Sequence, residues 1–259
     1  MESDVASIMS KLKISIITAV YNNVSMISGC IDSISKQKFD NVEVVVVDGS
    51  SNDGTVELIR NYHDKITTII SEPDNGIYDA LNKGVSLATG DIVGFMHSDD
   101  LFYDEDSLGL VAKAFHDHDV DAIYGDLIYV DKENTNQIIR YWKSGDYHPD
   151  KLSKGWMPPH PTFYMKRSLY EKYGGFDLQY RIAADYDAML RYLTMGEISV
   201  HYIPEVLVRM RVGGASNRSI KNIIQKSLED YRALKSNKVG GLYTLFMKNI
   251  RKLPQFIFR

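Results

Sequence analysis

Along the first 125 residues, apolar positions follow two alternating periods. Short β-branched runs occur at Ile14–Thr18, Val42–Val47, Ile66–Ile70, Ile92–Met96 and Ala122–Tyr124. Between them, at Val24–Lys36, Val56–Tyr62, Ile77–Ala88 and Ser107–Phe115, apolar residues recur at helical spacing. The first pattern fits buried strands, and the second puts one apolar stripe on a helix. In the last helix Leu108, Val111, Ala112 and Phe115 share a face. The acidic cluster Asp104–Asp106 precedes it and suits the positive end of a helix dipole. Strand–helix alternation of this kind predicts an α/β fold with a mostly parallel sheet covered on both faces. Such sheets bind ligands beyond the carboxyl ends of their strands, where the loops after Thr18, Val47 and Met96 fall.

From about residue 126 the rhythm changes. "DLIYVDKENTNQIIRYW" reads as strand, polar turn and strand, an antiparallel piece. A helix is expected over Ala184–Met195 with Met189, Leu190 and Leu193 inward, then a strand over Val206–Val212 and a flexible turn at Gly213–Arg218. No internal repeat or low-complexity segment interrupts the chain.

Composition adds little to this picture, but charge does. With 259 residues, 44% hydrophobic and 25% charged, the chain can bury the core of one large α/β domain. The single cysteine, Cys30, suits a reducing cytoplasm. "MESDVASIMSK" has no apolar h-region, and no apolar run approaches the ~20 residues of a membrane span. Seven Lys and Arg residues follow Asp230 with no acidic residue among them, so the net charge of −4 divides into −11 and +7. An acidic body with a basic tail argues against nucleic acid and for an anionic surface. In the tail Leu242, Leu245, Phe246, Ile250 and Leu253 recur at helical spacing beside Lys248, Arg251 and Lys252, with Pro254 as a stop. This is either an interfacial amphipathic helix or a helix docked on the body.

Four stretches carry chemistry. "TAVYNN" (18–23) ends a strand with groups that could stack on a base, or simply turn the chain. In "VVVVDGSSNDGT" (44–55), Asp48 precedes small residues that allow close backbone approach, or an Asx turn that leads into a helix. "FMHSDD" (95–100) sets Asp99 and Asp100 where a hard cation and a diphosphate would meet, or where a solvated loop would lie. In "RIAADYDAMLRY" (181–192), Asp185 falls at a helix start, as a general base, an N-cap or both. His160, in "PPHPTFY", is a crevice residue or a structural one.

These stretches, in this order, resemble the family-2 inverting glycosyltransferases of the GT-A fold. The resemblance is carried by "ISIITAVYN", "VEVVVVDGSSNDGT", "SEPDNGIYDALNKGVSLATGDIVGFMHSDD", "HPTFYMKRSLYEKYGGFD" and "AADYDAMLRY", spanning residues 12–212. It implies a nucleotide-sugar-binding half over 12–125, an acceptor-binding half over 126–212, and a lid with basic amphipathic helices over 213–259. Thr18, Val20 and Tyr21 would receive the nucleoside, with Asp48 beside the base. Asp99 would touch the ribose or the metal shell, and Asp99 and Asp100 would hold Mn²⁺ or Mg²⁺ on the donor diphosphate. Asp185 matches the catalytic base. Charge and glycine content add Arg211 and Arg218 as lid residues over the diphosphate. The implied donor is a nucleotide-sugar, first of all a UDP-sugar. The implied acceptor is a saccharide on a polyprenyl diphosphate, as in O-antigen, capsule or exopolysaccharide assembly at the inner face of the cytoplasmic membrane. Two positions depart from the family's pattern. Asp48-Gly49 stands where many relatives carry paired aspartates, the second of which contacts uracil. His97 stands where a full Asp-x-Asp would begin. A nucleotidyltransferase would need a glycine-rich loop that "TAVYNN" lacks; a non-catalytic nucleotide-sugar-binding protein stays open.

Overall fold

The computed structural model describes residues 12–213 and 220–252. Arg218, Leu253 and Pro254 lie outside the described residues. In chain order the strands are β1 (Ile14–Val20), β2 (Val42–Asp48), β3 (Thr68–Ser71), β4 (Ile92–Phe95), β5 (Leu101–Phe102), β6 (Ala122–Val130), β7 (Ile138–Trp142), β8 (Tyr164–Lys166) and β9 (Val200–Arg211). The helices are α1 (Ile27–Ser35), α2 (Thr55–Arg60), α3 (Ile77–Leu87), α4 (Ser107–Asp117), α5 (Asp150–Ser153), α6 (Arg167–Tyr173), α7 (Ala184–Thr194), α8 (Ile220–Ser236) and α9 (Leu242–Ile250), with a 3₁₀ turn at His160–Thr162.

One sheet in the order β3-β2-β1-β4-β8-β6-β9-β5 runs through the molecule, and β7 pairs with β6 beside it. The β3-β2-β1-β4 half is parallel, as the alternation predicts. β8 then runs antiparallel to both β4 and β6 and inserts the chain's second half into the same sheet. The pieces expected as Ala122–Tyr124 and as the start of a hairpin form one strand, β6. Its pairing with β9 continues from Ala122 to Val130 across two register shifts. The expected division at 125/126 therefore falls inside a strand.

The "VVVV" of β2 explains why neither sheet face is wet. Val45 and Val47 enter one core with Ile17, Val93, Ala80 and Leu81, while Val44 and Val46 enter the other with Ile16, Ile31, Leu108 and Val111. Strands buried on both faces read as unbroken apolar runs. Each fully buried Val or Ile contributes about 1.5–3 kcal/mol of apolar transfer free energy. Met189, Leu190 and Leu193 of α7 are buried, as their spacing requires.

The basic tail is part of this body. α9 packs on α8, and the hydroxyl of Thr244 donates to the carbonyl of Ser153 at 2.8 Å. At Gly155, in the left-handed region (φ +75°), a Cβ would lie 2.3 Å from the backbone nitrogen of Lys248. Only glycine lets the two backbones come this close. α9 thus docks through Thr244 and Lys248, which are buried, and Leu245, which packs partly buried on the core, while Leu242, Tyr243, Phe246 and Ile250 are exposed. Gly155→Ala should lower unfolding stability by about 1–3 kcal/mol through strain and overpacking, as read by urea denaturation. A change within ~0.5 kcal/mol, the usual range for a surface substitution, would show that the contact is dispensable.

Candidate active site

The loops at the carboxyl ends of β1, β2 and β4 open onto a crevice of about 1640 Å³, closed on its far side by α7, α8 and the tail. Val20, Tyr21, Asp99, Arg211, His160 and Asp185 all line it. Two expected nucleoside contacts do not. Thr18 and Asp48 are fully buried beneath the crevice floor. Asp48 instead ties the loop together: one carboxylate oxygen accepts the Ser51 N–H at 3.0 Å and the Ser71 hydroxyl at 2.7 Å. The other oxygen is buried with no hydrogen-bond partner.

The asparagines of "TAVYNN" hold loops, as the turn reading had it. The Asn22 side chain accepts from Asn52 N–H at 2.9 Å, and the Asn23 amide donates to Ser98 Oγ at 2.9 Å. The loops after β1, β2 and β4 are thereby fixed to one another. Asn22 and Ser50 both take positive φ values, 47° and 63°, at this junction. Such strain persists where surrounding bonds over-determine it.

Gly49 explains one departure from the family's pattern. A Cβ at Gly49 would lie 2.4 Å from Asp74 Oδ2 and 3.4 Å from the Tyr21 ring. The volume that a second aspartate would fill is therefore taken by the carboxylate of Asp74, which comes from the next loop. Asp74 Oδ1 accepts the Gly76 N–H at 2.8 Å, and both Asp74 and the exposed Tyr21 ring line the crevice. Sequence reasoning missed Asp74, because only the fold brings the β3–α3 loop over residue 49. Its place in the turn sequence Pro73-Asp74-Asn75-Gly76 was the available signal.

Asp99 and Asp100 part company. Asp99 faces the crevice, whereas Asp100 is 1% exposed. Asp100 Oδ1 accepts the Arg211 backbone N–H at 3.0 Å, and Oδ2 is buried without a partner. Burial, with Asp99 alongside, pushes the Asp100 carboxyl well above the usual carboxylate range, and Arg211 offsets only part of this. Arg211 is the last residue of β9 rather than a lid. Its guanidinium donates to the Asp99 carbonyl, and to the Lys132 carbonyl at 3.2 Å. Arg218, the other lid residue, lies outside the described residues. Among the described residues, no cluster of three or more His, Cys, Asp or Glu could enclose a cation. Adjacent carboxylates with one orphaned buried oxygen do fit a divalent ion that completes its shell with substrate phosphates.

Asp185 is the second residue of α7 and does not cap it; the N-cap position is Ala183. The cap comes from α8, where one Glu229 oxygen accepts the N–H groups of Ile182 at 2.7 Å and Ala183 at 3.0 Å. That leaves the Asp185 carboxylate for the crevice, bonded among the described residues to the Tyr78 hydroxyl at 3.0 Å. Burial alone would raise its pKa, but His160, Lys226, Tyr78 and Lys248 outweigh burial and hold it below the ordinary value. His160 is itself buried and stacked on Phe95 at 5.2 Å, which lowers it to about 4. At neutral pH its ring is therefore uncharged, which leaves the lysines and the Tyr78 hydroxyl as the groups that favour the ionised carboxylate. A carboxylate kept ionised and facing a crevice can accept a proton from a hydroxyl.

A mostly parallel sheet of this order, with carboxylates beyond β4 and at the start of α7, defines a GT-A nucleotide-diphosphosugar transferase fold. Residues 15–180 match the glycosyl transferase family 2 model, and the chain belongs to that family and is a glycosyltransferase. A PGL/p-HBAD biosynthesis glycosyltransferase of Mycobacterium bovis is 30% identical over 250 residues, 95% of this chain and 92% of that protein. Among solved structures, Staphylococcus aureus TarS 1–349 superposes with a TM-score of 0.68 at 20% identity, covering 88% of this chain; this chain spans 65% of that one. The mannosyltransferase PcManGT of Pyrobaculum calidifontis, solved with GDP-Man and Mn²⁺, gives 0.63 at 22% identity, covering 96% of this chain and 74% of that one.

Tyr78→Phe removes the hydroxyl bonded to Asp185, so the carboxyl pKa should rise. Titration followed by ¹³C-carboxyl NMR should then show a higher midpoint than in the parent protein. An unmoved midpoint would mean that Lys226 and Lys248 alone set the charge.

Proposed function

We propose that the protein transfers a sugar, with inversion, from a nucleotide-sugar to a hydroxyl of a lipid-linked saccharide, as in O-antigen, capsule or exopolysaccharide assembly. The observation that carries this reading is the Asp185 carboxylate, free of capping duty, in the same crevice as Tyr21, Asp74 and Asp99. Asp185 takes the proton of the acceptor hydroxyl. The oxygen attacks the anomeric carbon on the face opposite the donor phosphate. The carbon–oxygen bond to the diphosphate breaks, and its electron pair leaves with the nucleoside diphosphate. Asp99 and Asp100 are the residues that would hold Mn²⁺ or Mg²⁺. Bound there, the ion would offset charge on the leaving diphosphate as a Lewis acid. Tyr21 offers a stacking face for the base, and Asp74 a carboxylate for an N–H on the base edge. UDP is the first donor to test. GDP is the second, because a guanine edge offers a carboxylate adjacent donors.

Asp185→Asn should reduce transfer about 10²–10⁴-fold, the usual span for a lost general base, with nucleotide-induced thermal stabilisation retained. Near-normal turnover would remove Asp185 from this role. The donor is read from melting-temperature shifts with UDP-, GDP- and dTDP-sugars, each with and without Mn²⁺. Asp74→Ala should weaken the preferred nucleotide by about 1.5–3 kcal/mol, the value of a hydrogen bond to a charged group. Unchanged affinity would exclude contact with the base.

A further inference from the structure

The wall of the crevice beside Asp185 is built from the tail, and its charge is unbalanced. Lys226 of α8, Lys248 of α9 and Lys252 just beyond α9 all line the crevice. Lys248 is 5% exposed; its Nζ lies 2.7 Å from Asp230 Oδ2 and 3.2 Å from the centre of the Tyr186 ring. Lys248 is also among the charges that pull the Asp185 carboxyl down. Among the described residues, Lys248 alone of the three is in an ion pair. Burying like charges together without counter-ions is unfavourable. The cost shows at Lys252, which burial, Lys226 and Lys248 lower to about 8. Lys226, Lys248, Asp230 and Arg140 face Lys252, and Asp185 faces Lys226 and Lys248. Two carboxylates thus stand against four cations, and the cluster keeps an excess of positive charge for a further anion.

The same two helices turn apolar side chains outward. On α8 Ile223, Ile224 and Leu228 are exposed, and on α9 Leu242, Tyr243 and Phe246 are each more than 60% exposed. Docking α9 through Thr244, Leu245 and Lys248 leaves this arrangement: cations inside the crevice, apolar residues at the surface. A ligand with a compact anion on an apolar chain would match both. A soluble sugar phosphate would use only the first.

We infer that Lys226, Lys248 and Lys252 form a subsite for the diphosphate of a lipid acceptor, whose membrane meets the apolar faces of α8 and α9. This rests on the transfer reading above and adds to it a means of holding the acceptor. The subsite shares one crevice with the Asp99–Asp100 turn that would receive the donor diphosphate, so competition with UDP is what tells the two anion sites apart.

The test titrates inorganic pyrophosphate into the full chain in EDTA by calorimetry. The parent protein should bind, and K226A/K252A should bind at least ten times more weakly with its far-UV circular dichroism unchanged. K226R/K252R should retain affinity. Parent affinity should also fall as pH rises through about 8, where Lys252 loses its proton, and K252R should not show that fall. Equal binding by parent and alanine variant, or competitive displacement of pyrophosphate by UDP, would overturn the assignment. For the lipid, phosphatidylcholine vesicles carrying a polyprenyl diphosphate should recruit the protein better than vesicles carrying phosphatidylglycerol. L242S/F246S should weaken recruitment without changing pyrophosphate affinity. Equal recruitment by the two vesicle types would reduce the subsite to a generic anionic contact and sink the lipid assignment. Pyrophosphate binding in a chain that binds no nucleotide would defeat the transfer reading while leaving the subsite standing.

Discussion

The bond from the Arg211 backbone N–H to Asp100 is the contact on which the crevice depends. It continues the antiparallel β5–β9 pairing past Leu101 and so ties the turn between β4 and β5 to the end of β9, 111 residues further along the chain. Two adjacent carboxylates repel each other, and this contact separates their duties. Asp100 is drawn inward against β9, and Asp99 is left facing the crevice. The Arg211 guanidinium on the Asp99 carbonyl fixes the turn a second time. A cation bound there would meet a rigid carboxylate rather than a mobile loop, which lowers the ordering cost of binding.

The crevice is electrically two-sided. Near the loops after β3 and β4, Asp74 and Asp99 face inward; near α7 the wall includes Lys226, Lys248 and Lys252. Asp185 lies with the lysines, and that placement keeps it charged despite burial. α8 serves both ends of this arrangement. Glu229 caps α7 so that Asp185 need not, and Asp230 neutralises Lys248, one residue further along. The C-terminal helices are therefore part of the site and not an appendage to it.

Much of this was legible along the chain. The buried strand "VVVV", the α7 stripe and the carboxylates at strand ends all follow from local period and position. Asp185, Asp99, Val20, Tyr21 and His160 do meet in one crevice. Thr18 and Asp48 lie within β1 and β2 rather than in the loops beyond them, and pairing with neighbouring strands buries both, which local period does not show. Asp74 could not be found at all, since its nearness to Gly49 is a contact between loops separated by a full strand–helix unit. The tail's stripe was read correctly as amphipathic, yet of its described apolar residues Leu245 packs on the core while Leu242, Phe246 and Ile250 face outward, and Thr244 and Lys248 are buried. Helical spacing shows that two faces exist, not which is buried.

By itself, then, the sequence determined the layered α/β frame, the location of the ligand-binding edge and the acidic residues available there. Those depend on periodicity and chain order, which are local. Tertiary structure alone decided which carboxylate turns inward, which loop supplies the group beside Tyr21, and which face of α9 meets the body. Each of these is settled by contacts between segments distant in sequence: Arg211 with Asp100, Asp74 over Gly49, and Lys248 against Gly155 and Asp230. The energies that choose among them are burial and pairing, and neither has a value until the chain is folded.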